Sequence, residues 1–383
     1  MARFRSSPAG RAALLVLAAA ASSACGKDTT GPVALTFTAV RNGGAHSCGL
    51  TTTGAVYCWG LNSDGQLGDG STVNRTAPVA VAGTLKFSTL AAGYYHTCGV
   101  TTGGAAYCWG LNNYGQLGDG STVNSTTPVL VSGGLQFAAV TSRNNHTCGL
   151  TASGAAWCWG LNGNGQLGDS SQTSSATPVP VAGGHTFTIL TAGYYHTCGV
   201  AAGGTAYCWG LGTSGQLGNF SFSNVNTPGA VAGGIRFTAI NAGFDHTCAL
   251  SGSTAYCWGY NDFGQLGNGS TTDTAGPAHV GGAITFTSVS AGVGHSCGVS
   301  AETAAFCWGY DFTGQLGNGT FVTSPTPATV VGRLAFTQIA AGGGHTCAVT
   351  TDGSVYCWGL NSHGQLGDGS TTISNVPVRV SGP

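Results

Sequence analysis

A single motif, written seven times, leaves this chain few folds to choose from. In its second copy it runs Gly93-Tyr94-Tyr95-His96-Thr97-Cys98-Gly99-Val100, turns, continues as Ala106-Tyr107-Cys108-Trp109-Gly110, and ends in Gly115-Gln116-Leu117-Gly118-Asp119-Gly120. Its histidine recurs as His46, His96, His146, His196, His246, His295 and His345, a period of 50 residues with one interval a residue short. Self-similarity at that period means stacked supersecondary units, each relying on its neighbours to bury a core.

At sheet periodicity the unit reads as two strands, His-Thr-Cys-Gly-Val and Ala-Tyr-Cys-Trp-Gly, joined by a tight turn. If Cys98 lies opposite Cys108, Thr101 faces Ala105 and Thr102-Gly103-Gly104 remains as a three-residue hairpin loop, with glycine where a left-handed residue is needed. In the short repeat the same pairing of Cys248 with Cys257 leaves a two-residue loop, Gly252-Ser253. The deletion thus falls in the turn and keeps cysteine opposite cysteine. In this register Gly99 faces Tyr107, Gly49 faces Tyr57, Ala249 faces Tyr256 and Gly298 faces Phe306, and the aromatic ring is expected to lie over its small partner.

Two further strands complete each unit. One precedes the hairpin, as in Leu35 to Val40, Phe87 to Leu90 and Phe137 to Val140; the other follows a Gly/Ser/Thr-rich loop and is expected to begin near a proline, as in Pro128 to Val131 and Pro377 to Val380. No helical pattern occurs. Four strands in each of seven units give an all-β fold, a seven-bladed β-propeller of four-stranded antiparallel blades spanning residues 34–383 as one domain. An open array would expose two sheet edges, so the ring is expected to close by the N-terminal strand joining the blade that carries the C-terminal one. A β-solenoid is the alternative.

Residues 1–24 carry Arg3, Arg5 and Arg11, the apolar run Ala12 to Ala21, and Ser22-Ser23-Ala24 before Cys25, the pattern of an export signal peptide. The small residues before Cys25 resemble the lipobox of bacterial lipoproteins, with Ser22 at the usual leucine position. An ordinary signal peptidase would cut at the same bond, so the two readings differ only in whether Cys25 is acylated. Of 15 cysteines, 14 belong to the repeats and Cys25 is the odd one. Residues 25–33 then form a short tether, with the chain lipid-anchored in the cell envelope or secreted, and touching a membrane only through that anchor.

Charged residues make up only 6% of the chain. The leader holds three of the 11 basic residues, which leaves eight against 12 acidic ones and a net charge of about −4. No Lys/Arg stripe replaces phosphate counterions, so nucleic acid is not an expected partner. Enzyme chemistry has little to use: Glu302 is the only glutamate, and no Gly-x-Ser-x-Gly nucleophile motif occurs. The expected class is a monomeric binding propeller without catalytic residues, metal or cofactor. A hydrolase on the same scaffold and a purely structural envelope protein are the alternatives.

Units of the form Ala-Gly-x-x-His-Thr-Cys, then Tyr-Cys-Trp-Gly, then Gly-Gln-Leu-Gly-[Asp/Asn]-Gly resemble the repeats of the regulator of chromosome condensation family over essentially the whole chain beyond the leader. The resemblance implies a seven-bladed propeller. It also implies protein binding by the loops of one face: eukaryotic members include a nucleotide exchange factor for a small GTPase, and exported bacterial members include a propeller that inhibits β-lactamases.

Four repeated features each admit more than one reading. His-x-Cys followed by a second Cys could ligate zinc, but directly opposed cysteines in an oxidising compartment fit a cross-strand disulfide better, free thiols being the third reading. The expected pairs are Cys48 with Cys58, Cys98 with Cys108, Cys148 with Cys158, Cys198 with Cys208, Cys248 with Cys257, Cys297 with Cys307 and Cys347 with Cys357. A histidine present in every blade is expected to be a structural hydrogen-bonding group, since catalysis needs one. Trp59, Trp109, Trp159, Trp209, Trp258, Trp308 and Trp358 read as packing between blades, and Gln116 with its equivalents as loop ties, not as a phosphate cradle.

Variation among the repeats points to a face. Residues before the histidine and those after Cys-Trp-Gly emerge at the same end of the hairpin. There stand Tyr94, Tyr95, Arg143, Asn144, Asn145, Tyr194, Tyr195, Phe244 and Asp245, joined by Tyr114, Phe263 and Phe312, whereas later repeats offer Val293-Gly294 and Gly343-Gly344. An aromatic patch with an arginine is the composition of a protein-binding hot spot; the competing reading is that the rings fill the central channel.

Overall fold

Four consecutive strands make each sheet. In the first blade these are β1 (Phe37–Asn42), β2 (His46–Thr51), β3 (Val56–Gly60) and β4 (Arg75–Ala80), and in the second β5 (Phe87–Ala92), β6 (His96–Thr101), β7 (Ala106–Gly110) and β8 (Ser125–Leu130). The structure, a computed structural model, describes residues 35–382; the leader, Cys25 and the tether lie outside the described residues. Seven four-stranded antiparallel sheets account for all 28 strands, so the chain is a seven-bladed β-propeller. Among the described residues there is no helix.

The hairpin register follows the cysteines. Cys98 is opposite Cys108 and Gly99 opposite Tyr107, and Thr101 N–H donates to the Ala105 carbonyl at 2.9 Å, closing the Thr102-Gly103-Gly104 loop with Gly104 at φ +87°. In the fifth blade Ser251 faces Thr254 across Gly252-Ser253. All seven cysteine pairs form disulfides, with Cα atoms 4.0 to 4.1 Å apart. This is the close approach of a non-hydrogen-bonded antiparallel pair.

Four expectations are corrected. The ring lying over Gly99 is Phe87 of the inner strand, not Tyr107, and Phe37, Phe137 and Phe286 cover Gly49, Gly149 and Gly298 in the same way. Tyr107 is half-buried and packs against the core cluster that holds Phe87 and Trp109. Pro128 is fourth in β8, not first, and sits where the ladder between Cys108 and Gly110 is irregular. An outer strand with a bulge has no donor to lose there. The inner strand of the third blade begins at Ala139 and leaves Phe137 in the linker.

The fourth correction concerns closure. β1 pairs with β2 of its own blade, and no strand is lent to the last one. Each repeat already supplies four strands, so closure falls to side chains. Asn42 Nδ2 donates to the Ala340 carbonyl at 2.8 Å, Gly343 N–H to the Gly43 carbonyl at 3.1 Å, and Trp59 Nε1 to the Gln365 carbonyl at 3.0 Å. The first strands of all blades surround the axis, and the turns that carry the variable residues lie at one end of it.

Candidate functional site

The repeated polar residues are consumed in joining blades. Thr97 Oγ1 donates to the Gln66 carbonyl at 2.8 Å, and Trp109 Nε1 donates to the same oxygen at 3.0 Å. Because the threonine proton is committed there, Thr97 Oγ1 accepts from His46, 2.9 Å away, which fixes the histidine as its Nε2–H tautomer. The same relay links His96 to Thr147, His146 to Thr197, His196 to Thr247, His246 to Ser296, His295 to Thr346 and His345 to Ser47. Burial pushes His46, His146, His196, His246, His295 and His345 down to about 3 and His96 to about 4, so the ring of imidazoles is neutral. Their cysteine neighbours are in disulfides and offer no thiolate.

Gln116 and its equivalents also act structurally. Gln116 Oε1 accepts the Tyr114 N–H at 2.9 Å, and Gln66 does the same for Asp64. These contacts hold the loop after Cys-Trp-Gly against the face.

On that face five rings converge at the axis. Tyr194 stacks on Phe244 at 3.7 Å between centroids, meets Tyr94 edge-on at 5.9 Å, and packs against Tyr195 at 4.6 Å, while Tyr94 packs against Tyr95 at 4.8 Å. Tyr94 also covers Gly44 of the first blade. Part of the aromatic set therefore closes the channel mouth, as the competing reading requires. Desolvation and the crowding of phenols push Tyr194 up to about 12.

A second aromatic group lies on the fifth and sixth blades. Phe263 packs against Tyr310 at 4.9 Å and Tyr260 at 6.3 Å, and Tyr310 against Phe312 at 4.8 Å. Between the two groups runs a trough of about 510 Å³, walled by Tyr94 and Tyr95 on one side and by Phe263 and Tyr310 on the other. Its floor is Gly44, Gly294, Gly343 and Gly344. None of these four glycines has a left-handed φ, so the missing side chain is what matters. A Cβ on Gly294 would press on Tyr310 at 3.2 Å, and one on Gly344 on Leu360 at 3.3 Å. In the loops leading to the outer strands, Val123, Phe220, Phe222, Phe321 and Val322 are exposed.

The residues singled out from sequence thus separate. Tyr94, Tyr95, Tyr194, Tyr195 and Phe244 meet at the axis, Phe263 and Phe312 join the second group, and Tyr114 stands exposed apart from both. Asn145 and Asp245 accept from Gln116 and Gln216 Nε2 at 3.2 and 3.3 Å, and burial raises Asp245 to about 6. Asn144 is buried at φ +42°, and Arg143 ends an inner strand, where it lines the lumen and meets Tyr94 at its aromatic end. Tyr260 and Tyr310 were missed. The signal was the residue directly after Cys-Trp-Gly, leucine in five repeats and tyrosine in these two.

Comparison with known proteins agrees with this architecture. The RCC1-like domain model matches residues 134–383, and models of the regulator of chromosome condensation (RCC1) repeat match 53–100 and 103–150 in one case and 38–66 and 87–116 in another. Among solved structures, human WBSCR16 superposes with a TM-score of 0.78 at 22% identity, covering 85% of this chain and 94% of that one. Prp20p from Saccharomyces cerevisiae gives 0.78 at 23%, covering 87% of each chain. The CRINKLY WD40 ectodomain of the Arabidopsis thaliana receptor kinase ACR4 gives 0.55 at 20%, covering 91% and 100%. These likenesses bear on the fold alone. With its family model spanning most of the chain, the protein belongs to the RCC1-like domain family.

Proposed function

We propose that this protein is an exported, envelope-anchored propeller that binds a protein partner through the face carrying the aromatic trough, without catalysis of its own. The observation that carries this reading is the trough, with aromatic walls and a glycine floor, on a chain with few charges that also exposes apolar residues in its outer loops. Exposed apolar surface is enriched at interaction sites, and rigid aromatic anchors beside a hollow are the composition of hot spots. The yeast relative Prp20p has binding properties toward Gsp1p and histones, which supports protein binding as the use of such a face.

Export is supported by the leader over residues 1–24 and by seven disulfides, which persist in oxidising compartments. The reading includes acylation of Cys25, for which intact mass spectrometry of the protein from its native envelope is the check; an unmodified Cys25 would leave a secreted propeller.

Partner binding is tested by affinity capture from envelope extract, identification, and titration of the purified partner. Replacing Tyr95, Phe263 and Tyr310 together by alanine should weaken that titration at least a hundredfold, whereas Lys86→Ala and Arg236→Ala, on the hairpin-turn face, should leave it unchanged. Equal affinity in the triple variant would move the site off this face. Absence of any saturable partner would favour a structural role.

A further inference from the structure

The inner strands enclose a cavity of about 390 Å³ along the axis, and its lining has one sign of charge. Arg41 and Arg143 reach it and no carboxylate does, among the described residues. Arg41 is partly engaged: Nε donates to the Leu90 carbonyl at 3.2 Å and Nη1 to the Val40 carbonyl at 2.9 Å, which leaves Nη2 free. Arg143 makes no hydrogen bond to the protein among the described residues. The buried hydroxyls of Thr89, Ser142 and Ser288, on other inner-strand positions, line the same cavity and also lack a protein partner.

We propose that this lumen is a binding site for a small oxyanion of the phosphate or carboxylate class, held by Arg143 and Arg41 with the inner-strand hydroxyls as further donors. A guanidinium out of bulk water is costly unless an anion or a set of acceptors meets it, and its fork of N–H groups matches two oxygens of a carboxylate or phosphate. Water could satisfy the hydroxyls, which both donate and accept, but it would not neutralise two cations facing one hollow. Desolvation pulls Arg143 only to about 10, so it is charged at neutral pH. Its field reaches the surrounding blades, where it helps hold His196, His246 and His295 unprotonated. Those neutral imidazoles add no competing charge, and low-dielectric walls focus the field of the arginines into the lumen.

Tyr94 and Arg143 meet at the aromatic end of the lumen. Between Tyr94, Arg143, Val293 and Gly343 only about 10 Å³ remains, room for about one water. The lumen is separate from the trough, with which it shares no lining residue.

The probes are inorganic phosphate, sulfate and acetate, each titrated calorimetrically into the purified full chain at pH 7 and constant ionic strength with chloride as the reference. Saturable binding of at least one oxyanion is expected, weakened at least tenfold by Arg143→Gln and several-fold by Arg41→Gln, and unchanged by Arg236→Gln at the surface. Phosphate and acetate arms separate the two ligand classes. A crystal soaked in selenate gives a second readout, an anomalous peak beside Arg143 in the lumen. No saturation by any of the three, binding equal in Arg143→Gln, or a selenate peak only elsewhere would overturn the proposal.

Discussion

The side-chain amide of Gln338 pairs with the backbone of Val40 as one more strand would: Nε2 donates to the Val40 carbonyl at 3.0 Å, and Oε1 accepts the Val40 N–H at 3.1 Å. The two residues are 298 apart in sequence and join the last blade to the first. Val40 is fully buried, so without Gln338 its N–H would be orphaned, while its carbonyl would keep the Arg41 Nη1 donor at 2.9 Å. Gln338→Ala should cost about 1 to 3 kcal/mol, the range for one buried donor left unsatisfied. Ser288→Ala, the same position one blade earlier, removes a hydroxyl that has no protein partner and should be nearly neutral. Urea unfolding of both variants checks the contrast, and faster hydrogen exchange at the Val40 amide in Gln338→Ala would locate the loss.

Acid should unfold this protein over a defined window. The histidines have folded-state values of about 3 to 4 against an ordinary 6.5, so between those values the unfolded chain binds protons that the folded one does not. Stability is therefore complete above about pH 6.5 and falls as pH drops, by about 1.4 kcal/mol per pH unit for each histidine, with about 10 kcal/mol per unit as the upper bound for all seven. Asp245 and Asp311, pushed up to about 6 by burial, favour the folded state toward acid, and two such groups do not offset seven. The melting temperature followed from pH 7 to pH 4 should drop steeply; a flat profile down to pH 4.5 contradicts the neutral relay.

Removing one staple tests how far each blade stands alone. A cross-link closing a loop of this length contributes about 3 kcal/mol in the chain-entropy account. Cys198→Ala with Cys208→Ala should lower stability by about that amount while Trp258 keeps its place on the next blade. Thiol titration of the denatured, unreduced protein should find none of the 14 repeat cysteines reactive.

Asp311 offers a stabilising change. At the equivalent place in the first blade, Asn62 Oδ1 accepts from Leu67 N–H while Nδ2 donates to the Ser71 and Val73 carbonyls at 3.0 and 3.1 Å. Asp311 keeps the first bond, to Leu316 N–H at 2.9 Å, but as a carboxylate has no proton to give. Asp311→Asn should stabilise by about 1 to 2 kcal/mol at pH 7, and the gain should shrink at pH 5, where Asp311 is itself protonated. Urea midpoints at the two pH values decide it.

What the sequence disclosed, and what it withheld, divides by range. The hairpin was legible because the distance between Cys248 and Cys257 shortened with its turn, a constraint contained within ten residues. Closure was not, because nothing local marks Gln338 as a partner for Val40; the pairing exists only once the ring brings the ends together. The aromatic residues were found but their grouping was not: Tyr94 and Tyr194 touch across a whole blade whose own contribution, Asn144, turns inward. Glycines 294, 343 and 344 read as missing anchors in sequence, yet by leaving room they make the hollow that the rings enclose.

Every sheet here is finished within its own repeat, and the chain passes between blades only along short segments such as Val81 to Lys86. Duplication or loss of one whole repeat in the gene would therefore never sever a ladder; it would change only the angle each blade subtends. The relay of histidine, hydroxyl and glutamine carbonyl is the same at every interface, while the inner-strand contacts, such as Gln338 with Val40, differ from joint to joint. A repeat gained or lost would therefore keep the relay and would have to re-fit only the inner-strand contacts.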